Sequence, residues 1–251
     1  MPPSPLPYLD HPGPLPFAHR GGGAENPENT MRSFRHAIEL GYRYLETDAH
    51  VTVDGQVVAF HDHVLDRVTD GRGTLTALPW SVVANARIDG EPPVLLRDLL
   101  EAFPHARVNI DPKHDAVVEP LARLLLELDA VDRVGIGSFS SRRLARMRAL
   151  CGRRLATSVG PRQIARMRYL PWGPWAATCI QVPECWGRVQ LVDRRFIAHC
   201  HARDLQVHVW TIDDADAMHR LLDLGVDGLM TDRPTVLKQV LLDRESWFGS
   251  G

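Results

Sequence analysis

The stretch YLETDAHVTVDGQVVAFHD, residues 44–62, places apolar runs on either side of an Asp-Gly pair. An Asp-Gly pair in this setting is a strong signal for a tight hairpin turn. Only a few residues separate Tyr44–Ala49 from Gln56–Phe60, whereas a parallel crossover needs about a dozen or more. We therefore expect Gln56–Phe60 to return antiparallel to Tyr44–Ala49, above the rim of a larger sheet.

The polar residues of this stretch are predicted to converge. Side chains repeat every two residues along a strand, so Glu46 and Asp48 point to the same side. With the turn at Asp54-Gly55, His61 is expected roughly opposite Asp48. The hairpin would thus gather two carboxylates and a histidine in one place.

Outside the hairpin, short apolar runs alternate with amphipathic helical patterns, which indicates a mainly parallel sheet. The barrel-strand candidates are Leu15–His19, Tyr44–Ala49, Arg107–Asp111, Val134–Ser138, Leu155–Val159, Thr178–Val182, Gln206–Trp210 and Gly228–Thr231. Helical patterns lie between most of them, at Asn29–Leu40, Val117–Leu128, Asp193–Arg203 and Asp214–Leu224. Eight strands in 251 residues predict an α/β fold, a single (β/α)8 TIM barrel, although two smaller domains would also fit the length.

Some segments do not follow this alternation of strand and helix patterns. Residues 1–14 are proline-rich and are expected to be an extended lead-in without regular structure, and the barrel is expected to span residues 15–251. Residues 62–92 are turn-rich, so we expect a small insertion after the second strand that lies over the barrel mouth. Pro93–Phe103 is predicted to be the helix before the next strand.

Composition limits the kinds of partner. The net charge is −2 and the pI is about 6.6, so nothing suggests nucleic acid or an anionic membrane as the main partner. No apolar run approaches the length of a membrane span, so no integral membrane association is expected. The four cysteines show no CxxC spacing, and the first residues lack the pattern of a signal peptide. We expect free thiols, a small-molecule partner and a cytoplasmic location, while the oligomeric state stays open.

Polar residues follow several of the predicted strands, at the end where barrel enzymes carry their sites. They are His19, Arg20, Glu46, Asp48, Asp111, Lys113, Ser138 and Trp210. Three carboxylates form a hard oxygen site suited to Mg²⁺ or Ca²⁺. An arginine fork and a lysine point charge complement a phosphate, and histidines on opposite sides of a phosphorus can act as base and acid. Together with His61, the set predicts metal-assisted cleavage of a phosphoester.

Each of these residues also has a purely structural interpretation. Glu46 and Asp48 could form a solvated strand face, and Asp111 could cap the helix that follows it. Trp210 could be a core tryptophan, and a single histidine such as His19 is more often structural or on the surface. The placement of all of them at successive strand ends favours the functional interpretation.

The order and spacing of short motifs give the chain a family resemblance. The first block comprises His19-Arg20-Gly21-Gly22, Glu28-Asn29-Thr30, Phe34, Ala37, Gly41, Glu46-Thr47-Asp48, Thr52, Asp54-Gly55, His61-Asp62, Leu65-Asp66-Arg67 and Thr69. Shorter matches follow at Asn109-Ile110-Asp111-Pro112-Lys113, Ser138-Phe139, Val209-Trp210-Thr211 and Asp227-Gly228-Leu229-Met230-Thr231-Asp232. In this order the motifs resemble those of the glycerophosphodiester phosphodiesterases, and they cover nearly the whole chain after the proline-rich start.

This resemblance implies a (β/α)8 barrel that cleaves glycerophosphodiesters to glycerol 3-phosphate and an alcohol. It implies His19 and His61 as the catalytic acid/base pair, without saying which is the acid. Arg20 and Lys113 are implied as ligands of the substrate phosphate. Trp210 is expected to bind substrate as an apolar wall for the glycerol carbons.

The resemblance also implies a divalent cation, Mg²⁺ or Ca²⁺, held by Glu46, Asp48 and Asp111. Two positions depart from the family pattern. Position 111 is often glutamate, and because Asp111 is one methylene shorter, we expect either a water-mediated contact on that side or a preference for a different ion. Asp213 stands where asparagine is frequent, and no role is assigned to it.

Other functions stay open at this stage. A phospholipase D-like activity on lysophospholipids, or a sphingomyelinase D-like one, would need an exposed apolar groove for an acyl chain. The turn-rich insertion is not obviously apolar, although Leu78 and Trp80 lie in it. A catalytically silent barrel that only binds a phosphodiester is disfavoured by the presence of both histidines and all three carboxylates.

Overall fold

The computed structural model describes residues 6–169 and 177–249; the first five residues of the expected lead-in lie outside the described part. Its strands are β1 (Leu15–Ala18), β2 (Tyr44–Val51), β3 (Val57–Ala59), β4 (Val94–Leu95), β5 (Arg107–Pro112), β6 (Val134–Ile136), β7 (Ala156–Thr157), β8 (Cys179–Pro183), β9 (Cys185–Trp186), β10 (Val189–Gln190), β11 (Gln206–Trp210) and β12 (Gly228–Thr231). Its helices are α1 (Met31–Glu39), α2 (Trp80–Val83), α3 (Leu96–Ala102), α4 (Val118–Glu127), α5 (Ser141–Cys151), α6 (Pro161–Tyr169), α7 (Arg194–His201), α8 (Ala215–Leu224) and α9 (Pro234–Asp243). Among these residues, no helix combines the length and the apolar character that crossing a bilayer requires.

Eight of the strands form a nearly closed parallel barrel, as predicted. Hydrogen-bonded neighbours follow the order β7-β6-β5-β2-β1-β12-β11-β8, and every neighbouring pair in this path is parallel. Between β7 and β8, the backbone N–H of Thr178 donates to the carbonyl of Thr157 at 3.0 Å. Helices alternate with these strands along the chain, and most residues of the barrel strands are buried. The predicted (β/α)8 fold class is confirmed.

The hairpin prediction is confirmed with a correction of one residue. Strand β3 pairs antiparallel with β2. At the turn, Gly55 has a φ of 84°, a left-handed conformation that glycine adopts without strain. Phe60, and not His61, lies opposite Asp48, because the Phe60 N–H donates to the Asp48 carbonyl at 3.1 Å. His61 follows one residue later.

The helices begin and end close to their predicted boundaries, with one exception. Helix α1 begins after Thr30, which forms a reciprocal capping box with Ser33, and it ends before Gly41, where φ is 94°. The exception is Pro93–Phe103, where Val94–Leu95 forms β4 and the helix starts only afterwards. The prediction of a helix over the whole segment is wrong because the free edge of β3 supplies backbone partners for β4.

The residues from 62 to 92 have a small core of their own. Buried apolar side chains of this segment pack against Val58 and Phe60 of the hairpin; they are Leu65, Leu75, Val83, Ala86 and Ile88. The Asp54 carboxylate at the hairpin turn accepts the Trp80 N–H at 3.0 Å. The segment is thereby fixed to the strand that precedes His61.

The amino-terminal lead-in contributes to the barrel core. Pro7–Leu9 forms one turn of 3-10 helix, where no regular structure was expected. Tyr8 is fully buried, and its hydroxyl donates to Asn109 Oδ1 at 3.4 Å. The Tyr44 hydroxyl donates to the Tyr8 carbonyl at 2.7 Å. A Cβ on Gly135 of β6 would lie 2.4 Å from the Tyr8 ring, so this strand accommodates the tyrosine only because it has glycine there.

Candidate active site

A cavity of about 570 Å³ opens at the carboxyl ends of the barrel strands. Its lining includes all eight site residues predicted from the sequence, namely His19, Arg20, Glu46, Asp48, His61, Asp111, Lys113 and Trp210. The segments that follow parallel strands meet at this end of a barrel, which is why residues far apart in the sequence converge. The structure therefore brings the whole predicted set into one place.

The chain reverses sharply after β1. Arg20, Gly21 and Gly22 all have positive φ, at 52°, 79° and 101°. A Cβ on Gly21 would lie 2.8 Å from the backbone carbon of Ser33 in α1, so only glycine fits this turn. The left-handed conformation of Arg20 costs about 1–3 kcal/mol. Its N–H donates to Glu46 Oε2 at 3.1 Å, which fixes the turn against β2.

The three carboxylates share the cavity with two cations. The parallel register of β2 and β5 places Asp111 directly beside Asp48. Lys113 Nζ lies 2.6 Å from Asp48 Oδ1 and 2.9 Å from Asp111 Oδ2. Arg20 Nε lies 3.3 Å from Asp48 Oδ2. With Glu46 ionised, the carboxylates carry one more charge than the two cations neutralise.

Burial and ion pairing act in opposite directions on the pKa values of this cluster. Burial alone would raise the pKa of Asp48, but the charges of Lys113 and Arg20 outweigh it and hold that pKa below its usual range. Burial alone would lower the pKa of Lys113, but Asp48 and Asp111 outweigh it and raise that pKa. Burial raises the pKa of Asp111, which Lys113 only partly offsets. The pair of Asp48 and Lys113 therefore stays ionised, and Asp111 takes up a proton more readily.

His19 lies between two carboxylates. Its Nδ1 is 2.7 Å from Asp232 Oδ1, and its Nε2 is 3.7 Å from Glu46 Oε2. Burial alone would lower the pKa of His19, but Glu46 and Asp232 outweigh it and raise that pKa. Burial also raises the pKa of Glu46, against the opposing charge of His19. With Nδ1 held by Asp232, Nε2 is the nitrogen that remains for chemistry in the cavity.

Asp232 is a candidate functional residue that the sequence interpretation missed. It follows β12 and lies 213 positions beyond His19 in the sequence. Its own backbone N–H donates to Asp213 Oδ1 at 2.8 Å, and Asp213 also accepts from the Thr231 hydroxyl at 2.8 Å. Asp213, which had no assigned role, thus fixes the turn that carries Asp232. The signal was available, because Asp232 is the polar residue directly after the last barrel strand.

His61, like His19, is held at Nδ1 by a carboxylate, which belongs to the next residue, Asp62. Its Nδ1 is 2.6 Å from Asp62 Oδ1, and its backbone carbonyl accepts from His50 Nε2 at 3.1 Å. Hydrogen bonds from Arg67, and then from His61, lower the pKa of Asp62 to about 2 against the effect of burial. Asp62 therefore stays ionised and holds the histidine by one nitrogen. Both predicted acid/base residues have a carboxylate at Nδ1.

The three carboxylates are of the type that a hard divalent cation prefers, but they are not arranged around a common point where an ion could bind. Within residues 6–169 and 177–249, no three His, Cys, Asp or Glu side chains are arranged so that they could hold a metal ion. Lys113 instead contacts both Asp48 and Asp111. Asp111 Oδ1 is nevertheless buried without a hydrogen-bond partner, and carboxylate oxygens are the ligands that Mg²⁺ and Ca²⁺ prefer. In residue type and in charge, the cluster fits such a cation.

One side of the cavity is apolar. The rings of Trp210 and Phe139 meet edge to face, with centroids 5.7 Å apart. Trp186 and Val189, in the short hairpin of β9 and β10, also line the cavity. Trp210 is half-buried and lines the cavity, so it is not enclosed in the core. No pattern in the sequence had indicated the hairpin.

Comparison with known proteins places the chain in a family. Residues 19–236 match the model of the glycerophosphoryl diester phosphodiesterase family. The chain belongs to this family. A Mycobacterium tuberculosis protein named "Probable glycerophosphodiester phosphodiesterase 2" is 38% identical over 254 residues, which cover 97% of this chain and 96% of its own. A human lysophospholipase D is 28% identical over 270 residues, which cover 90% of this chain and 85% of its own.

A solved structure agrees with the family in fold. It is an Oleispira antarctica phosphodiesterase in complex with the product sn-glycerol-3-phosphate, and it superposes with a TM-score of 0.77 at 21% identity. The match covers 91% of this chain and 96% of that one. Family membership confirms the resemblance drawn from the motifs and makes the chain a phosphoric diester hydrolase of the glycerophosphodiester phosphodiesterase type.

Proposed function

We propose that this chain hydrolyses glycerophosphodiesters to sn-glycerol 3-phosphate and an alcohol, with a divalent cation and a pair of histidines. The observation that carries the proposal is that His19 and His61 line one cavity and that a carboxylate holds each at Nδ1. This hold fixes the tautomer and leaves Nε2 to exchange a proton with the substrate. Two such histidines supply both proton transfers that cleavage of a phosphodiester needs.

The proton balance assigns one task to each histidine. One imidazole takes the proton of the oxygen that attacks phosphorus, and the other gives a proton to the departing alkoxide. The bond from phosphorus to the alcohol oxygen breaks, and water has added once the phosphate monoester is released. His19 and His61 both have a nitrogen available for these steps.

Arg20 and Lys113 are proposed to bind the phosphoryl oxygens. Arg20 is a planar fork held close to β2, and Lys113 is a point charge whose pKa is raised by Asp48 and Asp111 despite burial. Lys113 therefore stays positive while negative charge develops on the phosphoryl group, and the Arg20 guanidinium offers a pair of donors to its oxygens. Trp210 is proposed to pack against the glycerol carbons from the apolar side of the cavity.

Glu46, Asp48 and Asp111 are the residues that would hold Mg²⁺ or Ca²⁺. A bound cation would supply Lewis-acid and template chemistry. The excess of carboxylate charge that arises when Glu46 is ionised and the partnerless Asp111 Oδ1 support this part of the proposal. Because Lys113 contacts two of the three carboxylates, metal binding and the position of this lysine are expected to depend on each other.

A substrate panel tests the proposed function. Glycerophosphocholine, glycerophosphoethanolamine and glycerophosphoglycerol are supplied with Mg²⁺, Ca²⁺ and Mn²⁺ in turn, and release of sn-glycerol 3-phosphate is measured. We expect turnover of at least one diester that depends on the added cation. Binding of these diesters without any turnover would instead identify a catalytically silent barrel.

A second candidate substrate is a lysophospholipid, and the apolar side of the cavity favours it. Trp186, Val189 and Phe139 line the mouth and are 58%, 46% and 56% exposed. An exposed apolar surface that continues into a catalytic cavity suits an acyl chain better than it suits a small polar diester. This apolar surface lies on the β9–β10 hairpin and beside Trp210, not on the insertion where the sequence had directed attention. The human relative named lysophospholipase D agrees with this candidate.

The two substrates can be separated by changing the apolar surface alone. Trp186→Ser combined with Val189→Ser should lower kcat/KM for 1-acyl-lysophosphatidylcholine and leave that for glycerophosphocholine nearly unchanged. Leu242→Ser, at an exposed apolar position on α9 outside the cavity, is the matched control. Equal effects on both substrates would remove the support for a lipid substrate.

A further inference from the structure

Arg67 lies in the insertion and joins two carboxylates that each contact a residue lining the cavity. Its Nε and Nη2 donate to Asp62 Oδ2 and Oδ1 at 2.5 and 3.1 Å. Its Nη1 and Nη2 donate to Glu28 Oε2 and Oε1 at 3.0 and 2.7 Å. Each edge of the guanidinium therefore holds one carboxylate by two hydrogen bonds.

Each of these carboxylates in turn holds a residue of the proposed machinery. Asp62 Oδ1 is 2.6 Å from His61 Nδ1, and Glu28 Oε1 accepts from Arg20 Nη1 at 3.1 Å. We propose that Arg67 is a positioning residue that sets the orientations of His61 and Arg20 together. The inference rests on the proposed function only for the roles of those two residues.

The geometry needs arginine specifically. A guanidinium is a rigid plane with five N–H groups, so its Nε–Nη2 edge and its Nη1–Nη2 edge can each match a carboxylate. A lysine ammonium in the same place is a point charge without such edges. A charge-preserving change to lysine is therefore expected to lose the coupling between Asp62 and Glu28 while retaining the net charge.

The contact pattern separates Arg67 from the catalytic residues themselves. Arg67 does not line the cavity, and its side chain is 48% exposed. Any effect of its removal on turnover must therefore pass through Asp62 and Glu28. An ordinary exposed ion pair contributes little to stability, so loss of Arg67 is not expected to unfold the protein. Its hydrogen bonds also keep the pKa of Asp62 low, which preserves the acceptor for His61.

The first test compares three single variants on a glycerophosphodiester. Arg67→Gln and Arg67→Lys should each lower kcat/KM by about 10- to 100-fold, the usual effect of removing an outer partner of a site residue. Arg72→Gln is the matched control, because Arg72 belongs to the same insertion, is 84% exposed and forms an ion pair with Asp66 at 3.4 Å, away from Asp62 and Glu28. We expect it to retain wild-type kcat/KM, and thermal unfolding should be unchanged in all three variants.

Double variants show whether Arg67 acts through the proposed residues. In a His61→Ala background, Arg67→Gln should lower kcat by a smaller factor than in the wild-type enzyme, because only its effect through Glu28 and Arg20 remains. In an Arg20→Ala background, Arg67→Gln should leave the Kd of sn-glycerol 3-phosphate unchanged, although it weakens binding when Arg20 is present. A purely structural role would give the same loss in every background.

The outcomes separate this inference from the proposed function. If the wild-type enzyme turns over no glycerophosphodiester, the proposed function fails, and the Kd of sn-glycerol 3-phosphate still tests the connection from Arg67 to Arg20. If the wild-type enzyme is active and both Arg67 variants match it, the inference is overturned alone. Equal losses in the single and double variants, or a wild-type kcat/KM in Arg67→Lys, would overturn it as well.

Discussion

Replacing Asp232 by asparagine tests how His19 is prepared for proton transfer. In the wild-type protein, the Asp232 carboxylate can only accept, so it fixes a proton on His19 Nδ1 and leaves Nε2 free. An asparagine of the same shape can turn its NH₂ group toward Nδ1 and favour the opposite tautomer. The proton would then occupy the nitrogen that should face the substrate.

The contact sets the expected size of the effect. A hydrogen bond to a charged group contributes about 1.5–3 kcal/mol, which corresponds to roughly 10- to 150-fold in rate. In the serine protease triad, where the aspartate is buried, the equivalent change costs about 10⁴-fold because the histidine takes the wrong tautomer. Asp232 is 30% exposed, so water can partly replace it. We therefore expect kcat of Asp232→Asn to fall by about 10- to 150-fold.

The pH dependence gives a second readout with a definite sign. Asp232 and Glu46 raise the pKa of His19 above what burial would allow, so loss of the Asp232 charge must lower that pKa. The limb of the kcat/KM profile that reports His19 should move to lower pH. Asp227→Asn is the control, because it alters another His–Asp contact of 2.7 Å, with His201, outside the cavity. A loss below 3-fold, or an equal loss in the control, would refute the reasoning.

Three further perturbations test other parts of the account. EDTA should abolish turnover and added Mg²⁺ or Ca²⁺ should restore it, and full activity after chelation and dialysis would contradict a metal requirement. Asp111→Asn should weaken Mg²⁺ and Ca²⁺ binding in a calorimetric titration with little change in Tm; an unchanged affinity would mean that Asp111 is not a ligand. Tyr8→Ala should lower the free energy of unfolding by about 3–5 kcal/mol in denaturant titrations, because a buried aromatic ring is lost, whereas Tyr8→Phe should cost only about 1 kcal/mol. Equal effects of the two Tyr8 changes would show that the ring does not pack as described.

Local pattern and strand-end placement predicted much of this molecule. The Asp54-Gly55 turn predicted the hairpin because turn chemistry is decided within a few residues. The polar residues at strand ends were found because parallel strands place their carboxyl ends on one side of the barrel. Family resemblance then supplied the expected roles of His19 and His61 as an acid/base pair.

What the sequence did not show depends on partners distant along the chain. Asp232 contacts a histidine 213 positions away, and Tyr8 occupies the space left by Gly135, so neither has a local signal. Val94–Leu95 became a strand because β3 offered an unpaired edge, which outweighed a helical pattern. The paired hydrogen bonds from Arg67 to Asp62 and to Glu28 could not be predicted, because a sequence motif gives the spacing of residues and not the orientation of their side chains.

The most direct test of the account measures release of sn-glycerol 3-phosphate from glycerophosphocholine by His19→Ala and His61→Ala. Each variant should lose about 10²–10⁴-fold in kcat, the usual range for a general acid or base, and the double variant should lose less than the product of the two. A glycerol phosphodiester with a p-nitrophenyl leaving group should restore the variant that lacks the acid and not the one that lacks the base. Wild-type kcat in either single variant on the natural diester would contradict the two-histidine mechanism.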